Sequence, residues 1–184
     1  PLERYGLKLM SMGFFVNEDS PVIWRGPMVH GLIKQFLTDV EWGELDYLVI
    51  DLPPGTGDAA LTLTQQAPLS GAVIVTTAND LSLVDARKGL MMFQKVKVPV
   101  LGIIENMSYY VCPHCHEHDD IFGHGGARRE AERLEVAFLG EVPLITEIRE
   151  SGDCGVPITV AKPDGEVAQA FRRCAEAVLK QLGR

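Results

Sequence analysis

Short apolar runs of about one strand's length alternate along this chain with longer segments of helical periodicity. Three runs are nearly unbroken: "DYLVIDL" at residues 46–52, "GAVIVTT" at 71–77 and "VPVLGIIENM" at 98–107. A strand that does not alternate apolar with polar side chains needs cover on both faces, which a parallel sheet with crossover helices supplies. The segments between them, "DAALTLTQQA" at 58–67 and "LSLVDARKGLMMFQKV" at 81–96, carry helical spacing, with Asp80 placed to cap the second. Upstream, "LKLMSMGFF" at 7–15 reads as a strand. "PMVHGLIKQFLTDV" at 27–40 reads as a helix with Pro27 near its start and Val29, Leu32, Phe36, Leu37 and Val40 on one stripe. Downstream come a charged helix "ARREAERLEV", a strand "AFLGEVPL", a short helix "ITEIRESG" and a terminal helix over about residues 164–182. The last helix sets Val167, Phe171, Cys174 and Val178 at helical spacing. The expected fold is α/β, a three-layer, mostly parallel sheet with helices on both faces. It forms a single domain over 1–184, interrupted by a polar, His- and Gly-rich insertion at 108–126.

Composition removes several function classes. With 17 Lys and Arg against 25 Asp and Glu, the net charge of −8 speaks against binding a nucleic-acid backbone. No run reaches the ~18 apolar residues that a membrane span needs, so no membrane partner is expected. Four cysteines in 184 residues do not make a disulfide framework; a reducing cytoplasm suits them better. The chain opens at Pro1 and moves within a few residues into apolar "GLKLMSMGFFV", so it reads as the later part of something longer.

Two stretches carry chemistry. In "YLVIDLPPGTGD" an apolar run ends in Asp51, and two prolines and two glycines then turn the chain. Ligands of open parallel sheets bind at the carboxyl ends of strands, and a lone acid there is costly unless neutralised. A Mg²⁺-linked role for Asp51, with Gly55 letting backbone N–H approach a phosphate, competes with a plain turn cap.

The second stretch, "VCPHCHEHDDIFGH", places Cys112 and Cys115 on one turn and crowds His114, His116, His118 and His124 near them. Two thiols leave a tetrahedral centre half filled. On residues alone three arrangements stay open: an iron–sulfur cluster shared with a second chain, a Cys₂His₂ zinc site within one chain, and an unliganded loop. Cys174 falls on the apolar stripe of the last helix and reads as a structural thiol, while Cys154 has no assigned role.

Together "PVIWRGPMV", "DYLVIDLPPGTGD", "ENMSYYVCPHC" and "IFGHGGA" resemble the Mrp/ApbC-type iron–sulfur cluster carriers, deviant P-loop ATPases related to MinD and ArsA. The resemblance covers nearly the whole chain. It implies a homodimer that binds ATP with Mg²⁺ and a bridging [4Fe–4S] cluster, takes the cluster from donor proteins and passes it to apo iron–sulfur proteins. By that resemblance Asp51 is the Mg²⁺-linked acid, Gly55 lies beside the γ-phosphate, Asn106 reads the adenine edge and Pro143 flanks the base. Cys112 and Cys115 are the cluster ligands. Two features depart from the pattern. No GxxxxGK[ST] loop occurs, so this chain is not expected to hydrolyse ATP alone, and His116 follows Cys115 where the family usually has glycine. The alternatives are a zinc-stabilised, non-enzymatic interaction protein of the same fold and a MinD/ParA-like regulatory ATPase.

Overall fold

The computed structural model describes residues 1–15, 26–52 and 57–183. The chain divides into two compact units, Pro1–Leu69 and Ser70–Arg184.

The first unit opens with a hairpin. Strands β1 (Leu2–Arg4) and β2 (Leu7–Leu9) pair antiparallel around Tyr5 and Gly6, both at positive φ, the backbone signature of a tight hairpin turn. Residues 7–15 are therefore not one strand: β2 ends at Leu9, and Met12–Phe15 coil into a 3-10 turn. Helix α1 (Gly26–Thr38) follows the expected stripe, with Val29, Leu32, Phe36 and Leu37 half-buried on one side. It packs on α2 (Gly57–Gln66), which buries Ala59, Ala60, Thr62 and Leu63.

Residues 46–52, expected as a buried central strand, form no strand. Tyr47, Leu48, Val49 and Ile50 are exposed, Val49 at 90%. An apolar run becomes a buried strand only where neighbouring strands take its backbone groups and other elements cover its faces; this run is open on both faces.

The second unit carries the sheet. Strands β3 (Ala72–Thr76), β4 (Val100–Val111) and β6 (Phe138–Leu144) lie side by side, β4 central and parallel to both neighbours. A two-residue strand β5 (His118–Asp119) adds antiparallel to the far end of β4, making the sheet mixed. Helix α3 (Asp80–Lys95) packs on β3 and buries Leu83, Ala86, Leu90 and Phe93. Its N-cap is Asn79, whose side chain accepts from the Ser82 N–H at 3.0 Å; Asp80, expected as the cap, lies in the first turn. There its charge still favours the positive helix end.

Helix α4 (Gly126–Arg133) packs against β4, β6 and α3. Short helices α5 (Thr146–Asp153) and α6 (Ile158–Ala161) lead to α7 (Glu166–Gln181), which lies on β6. The α7 stripe is centred on Val167, Ala168, Ala170 and Cys174, while Phe171 is 38% exposed at its margin. Cys174 is buried, and its sulfur lies where a Cβ on Gly140 would come within 2.6 Å. Burial lifts the pKa of this thiol, as expected for a packing residue.

Candidate functional site: the carboxyl end of the central strand

The site grows out of β4, which runs well past its expected end. β3 stops at Thr76, opposite Glu105, but β4 continues to Val111 with Leu144 of β6 still paired to Tyr110. The register with β6 shifts between Asn106 and Tyr110, and Met107 takes a positive φ of 53°. This bulge re-aims the strand at the sheet's carboxyl edge, where ligands of parallel sheets bind.

At the bulge Asn106 is half-buried, and its Oδ1 accepts from the Met107 N–H at 3.0 Å. That bond uses the amide oxygen as acceptor, so the nitrogen is the side chain's remaining donor end. Asn106 is the register partner of Val142, so buried Pro143 adjoins it on the next strand. The structure thus brings Asn106 and Pro143 to one edge. Asp51 is exposed in the first unit, and Gly55 lies outside the described residues.

Beyond the bulge, β4 and β5 close the cysteine turn. Val111 pairs with His118, the Cys112 N–H donates to the Glu117 carbonyl at 3.0 Å, and the His116 N–H donates to the Cys112 carbonyl at 2.9 Å. The backbone N–H groups of Cys115 and His114, then the Cys115 thiol, point at the Cys112 sulfur and hold its pKa below the ordinary thiol value. Such a turn favours thiolate, the form that binds metal. Two thiols on one turn, one of them favoured as thiolate, are a donor set that suits a thiophilic metal centre.

His116 occupies the turn position with φ of 60°, which explains why glycine suits that place: only a residue without Cβ adopts it at no cost. Of the other histidines, His118 stacks on Tyr109 at 4.8 Å, and His124 Nδ1 sits 3.1 Å from Ser108 Oγ. Both rings are engaged with β4 side chains.

Reading the chain alone missed a buried polar cluster beside this turn. Glu105 is fully buried, flanked in register by Thr76 on β3 and Glu141 on β6. Its Oε1 accepts from Ser108 Oγ at 2.5 Å and from the Gly125 N–H at 3.0 Å; its Oε2 accepts from the Ala127 N–H at 2.7 Å. A carboxylate is thus the anion at the N-terminus of α4, satisfied by neutral donors.

Glu105, His124 and Glu141 bring ligand-type atoms within 4.8 Å of one another. Even so, the Glu105 oxygens are already committed to three donors and Ser108 Oγ fills the middle, so the cluster is built as a hydrogen-bond network. Nor is Ser108 a nucleophile, being fully buried with its proton given to Glu105. The signal for Glu105 was present, a lone acid at the end of a buried strand.

Comparison with known proteins identifies the family. The family model described as "ParA: NUBPL iron-transfer P-loop NTPase" matches residues 1–179. A Dictyostelium discoideum protein named iron-sulfur cluster transfer protein NUBPL is 53% identical over 182 residues, covering 99% of this chain and 56% of its own length. A Synechocystis iron-sulfur cluster carrier protein is 53% identical over 179 residues, covering 97% of this chain and 51% of its own length. The chain spans about half the length of the curated relatives it matches. Among solved structures, a nucleotide-binding protein from Archaeoglobus fulgidus, in complex with ADP and with cobalt found in it, superposes with a TM-score of 0.71. It is 39% identical and covers 92% of this chain and 64% of that one. The α/β class expected from the strand and helix pattern, and the P-loop-NTPase likeness implied by the family resemblance, are what is observed, with a mixed sheet.

Proposed function

We infer the function from one premise: the chain belongs to the ParA-type family of NUBPL iron-transfer P-loop NTPases. It carries an iron–sulfur cluster as cargo and delivers it to apo-proteins, and the two thiols of Cys112 and Cys115 are its half of the holding site. The observation that carries this reading is the cysteine turn itself, closed by the Val111–His118 pair, the Cys112 N–H to Glu117 carbonyl bond and the His116 N–H to Cys112 carbonyl bond, which sets Cys112 and Cys115 on one turn. Two thiolates are half of the usual four, so a second copy of the chain supplies the rest across a two-fold axis, with a [4Fe–4S] cluster between them.

Support for a nucleotide partner comes from Asn106 and Pro143 at one sheet edge, and from the ADP-bound Archaeoglobus relative. These residues suit the base edge of ATP; Asp51 would serve the Mg²⁺, which supplies charge neutralisation at the phosphates when bound. No GxxxxGK[ST] loop occurs in these 184 residues, so nucleotide hydrolysis is not assigned to them. Free thiols at all four cysteines fit a reducing compartment such as the cytoplasm. Among the described residues, no helix is long and apolar enough to cross a membrane.

Anaerobic reconstitution with iron and sulfide tests the reading. The expected product is a brown dimer with about two iron and two sulfide per chain, half of a four-iron cluster. Cys112→Ser and Cys115→Ser each abolish it, and an apo iron–sulfur acceptor regains its cluster from the loaded protein. A colourless monomer holding one zinc per chain would replace the carrier with a zinc-stabilised interaction protein.

A further inference from the structure

The cysteine turn is not an isolated loop: both of its ends lead back to one buried carboxylate. On the outgoing side Glu105 sits on β4 and accepts from Ser108, just before the strand reaches Cys112. On the return side it accepts from Gly125 and Ala127, where the chain enters α4. Between those anchors the contacts are continuous. Ser108 Oγ gives its proton to Glu105, so His124 Nδ1–H donates to Ser108 Oγ, at 3.1 Å. The His124 ring lies edge-on to Tyr109 at 6.2 Å, and Tyr109 stacks on His118 at 4.8 Å. His118 is the strand partner of Val111, next to Cys112. The hydrogen bonds at the root are short and directional, the ring contacts of exposed His124 and His118 with Tyr109 continue them, and the carboxylate is fully buried, so displacing it would leave buried donors unpaired.

We propose that Glu105 is the positioning residue of the metal turn, acting through Ser108, His124 and Tyr109 to hold Cys112 and Cys115 at the spacing a metal requires. The inference rests on the two cysteines being metal ligands. Glutamine is nearly isosteric but offers one acceptor oxygen and an NH₂ group, so it cannot satisfy all three donors, and its own N–H faces another N–H.

Cobalt(II), whose thiolate bands report cysteine ligation directly, is the probe. In the 184-residue chain Glu105→Gln is expected to weaken cobalt binding at the cysteines about tenfold. Metal-dependent stabilisation at fixed cobalt then shrinks by about 1.4 kcal/mol. Glu130→Gln is the control: Glu130 is also buried, on α4, but pairs with Arg87 at 2.7 Å. It lowers the melting temperature and leaves cobalt affinity within about twofold.

A Glu105→Gln chain that melts lower yet binds cobalt with wild-type affinity and bands overturns the inference and leaves the carrier reading standing. Wild-type chain that shows no cysteine-to-cobalt bands overturns both. If Glu105→Gln does not fold, Ser108→Ala decides: it keeps the carboxylate and its backbone donors but cuts the link to His124. A several-fold loss of cobalt affinity supports the positioning role, and none overturns it.

Discussion

Two stretches of this chain look alike on paper and differ in the structure. Residues 46–52 and the first half of β4 are both apolar runs ending in an acid, Asp51 in one and Glu105 in the other. β4 has a parallel partner on each side; Ile103 is 1% exposed, and Glu105 finds three donors. The other run is exposed, forms no strand, and leaves Asp51 in solvent. Strand identity therefore belongs to the neighbourhood. An apolar run states a willingness to be buried, and paired backbone on both edges converts it into a strand.

The comparison can be tested by substitution, starting where the site is tightest. A Cβ on Gly126 would meet the Ala78 carbonyl oxygen at 2.3 Å, backbone against backbone. Gly126→Ala should cost about 3 kcal/mol in urea unfolding, because neither partner can yield without shifting α4 from the turn between β3 and α3 that carries Ala78. A loss under about 1 kcal/mol would mean that this junction is looser than described.

Next comes the paired test of the two runs. Ile103→Ala should cost about 3 kcal/mol, whereas Val49→Ala should fall within about 0.5 kcal/mol of wild type. Equal costs would erase the contrast and place residues 46–52 in a core. Amide hydrogen exchange gives the same answer without mutation, fast over 47–50 and slow over 102–105.

A smaller gain is expected at the cysteine turn. His116→Gly removes a side chain held at φ 60° and should stabilise the fold by about 1 kcal/mol or less, with metal binding retained. Loss of metal in that variant would make His116 a ligand.

The smallest effect is a titration. The Cys112 pKa is lowered in the fold, so its thiolate contribution is present above the unfolded thiol value and is lost as pH falls through the lowered folded one. Alkylation of Cys112 by iodoacetamide should accordingly persist to lower pH than that of an ordinary thiol. Cys115→Ala should keep most of that shift, since backbone N–H groups are its larger cause. An ordinary titration curve for Cys112 would show that the turn is not formed in solution.

The cysteine turn was legible residue by residue, whereas Asn106 and Pro143 came in only through the family resemblance. The CxxC spacing put two sulfurs on one turn, and the turn is there; Asn106 and Pro143 do share an edge. The glycine-to-histidine departure after Cys115 also has its physical meaning, a left-handed backbone position. What escaped was the continuation of β4 beyond Asn106. A polar "SYYV" reads as loop by composition, yet it extends the strand because β5 pairs with its end and Ser108 is buried against Glu105. The cap of α3 was misplaced by one residue for a local reason, because Asn79 and Asp80 are both good caps and only backbone geometry chooses between them.

Local chemistry was enough to determine the main helices, two of the three long apolar strands and the thiol pair on one turn, since propensity, periodicity and spacing are properties of neighbouring residues, while the family came from the resemblance of whole motifs. Partnership needed the folded chain. Which apolar run is enclosed, which acid is buried, and which histidines are already engaged depend on groups far apart in sequence. Glu105 meets Gly125 and Ala127 about twenty residues away, and only the path of the chain through the sheet brings them within hydrogen-bonding distance.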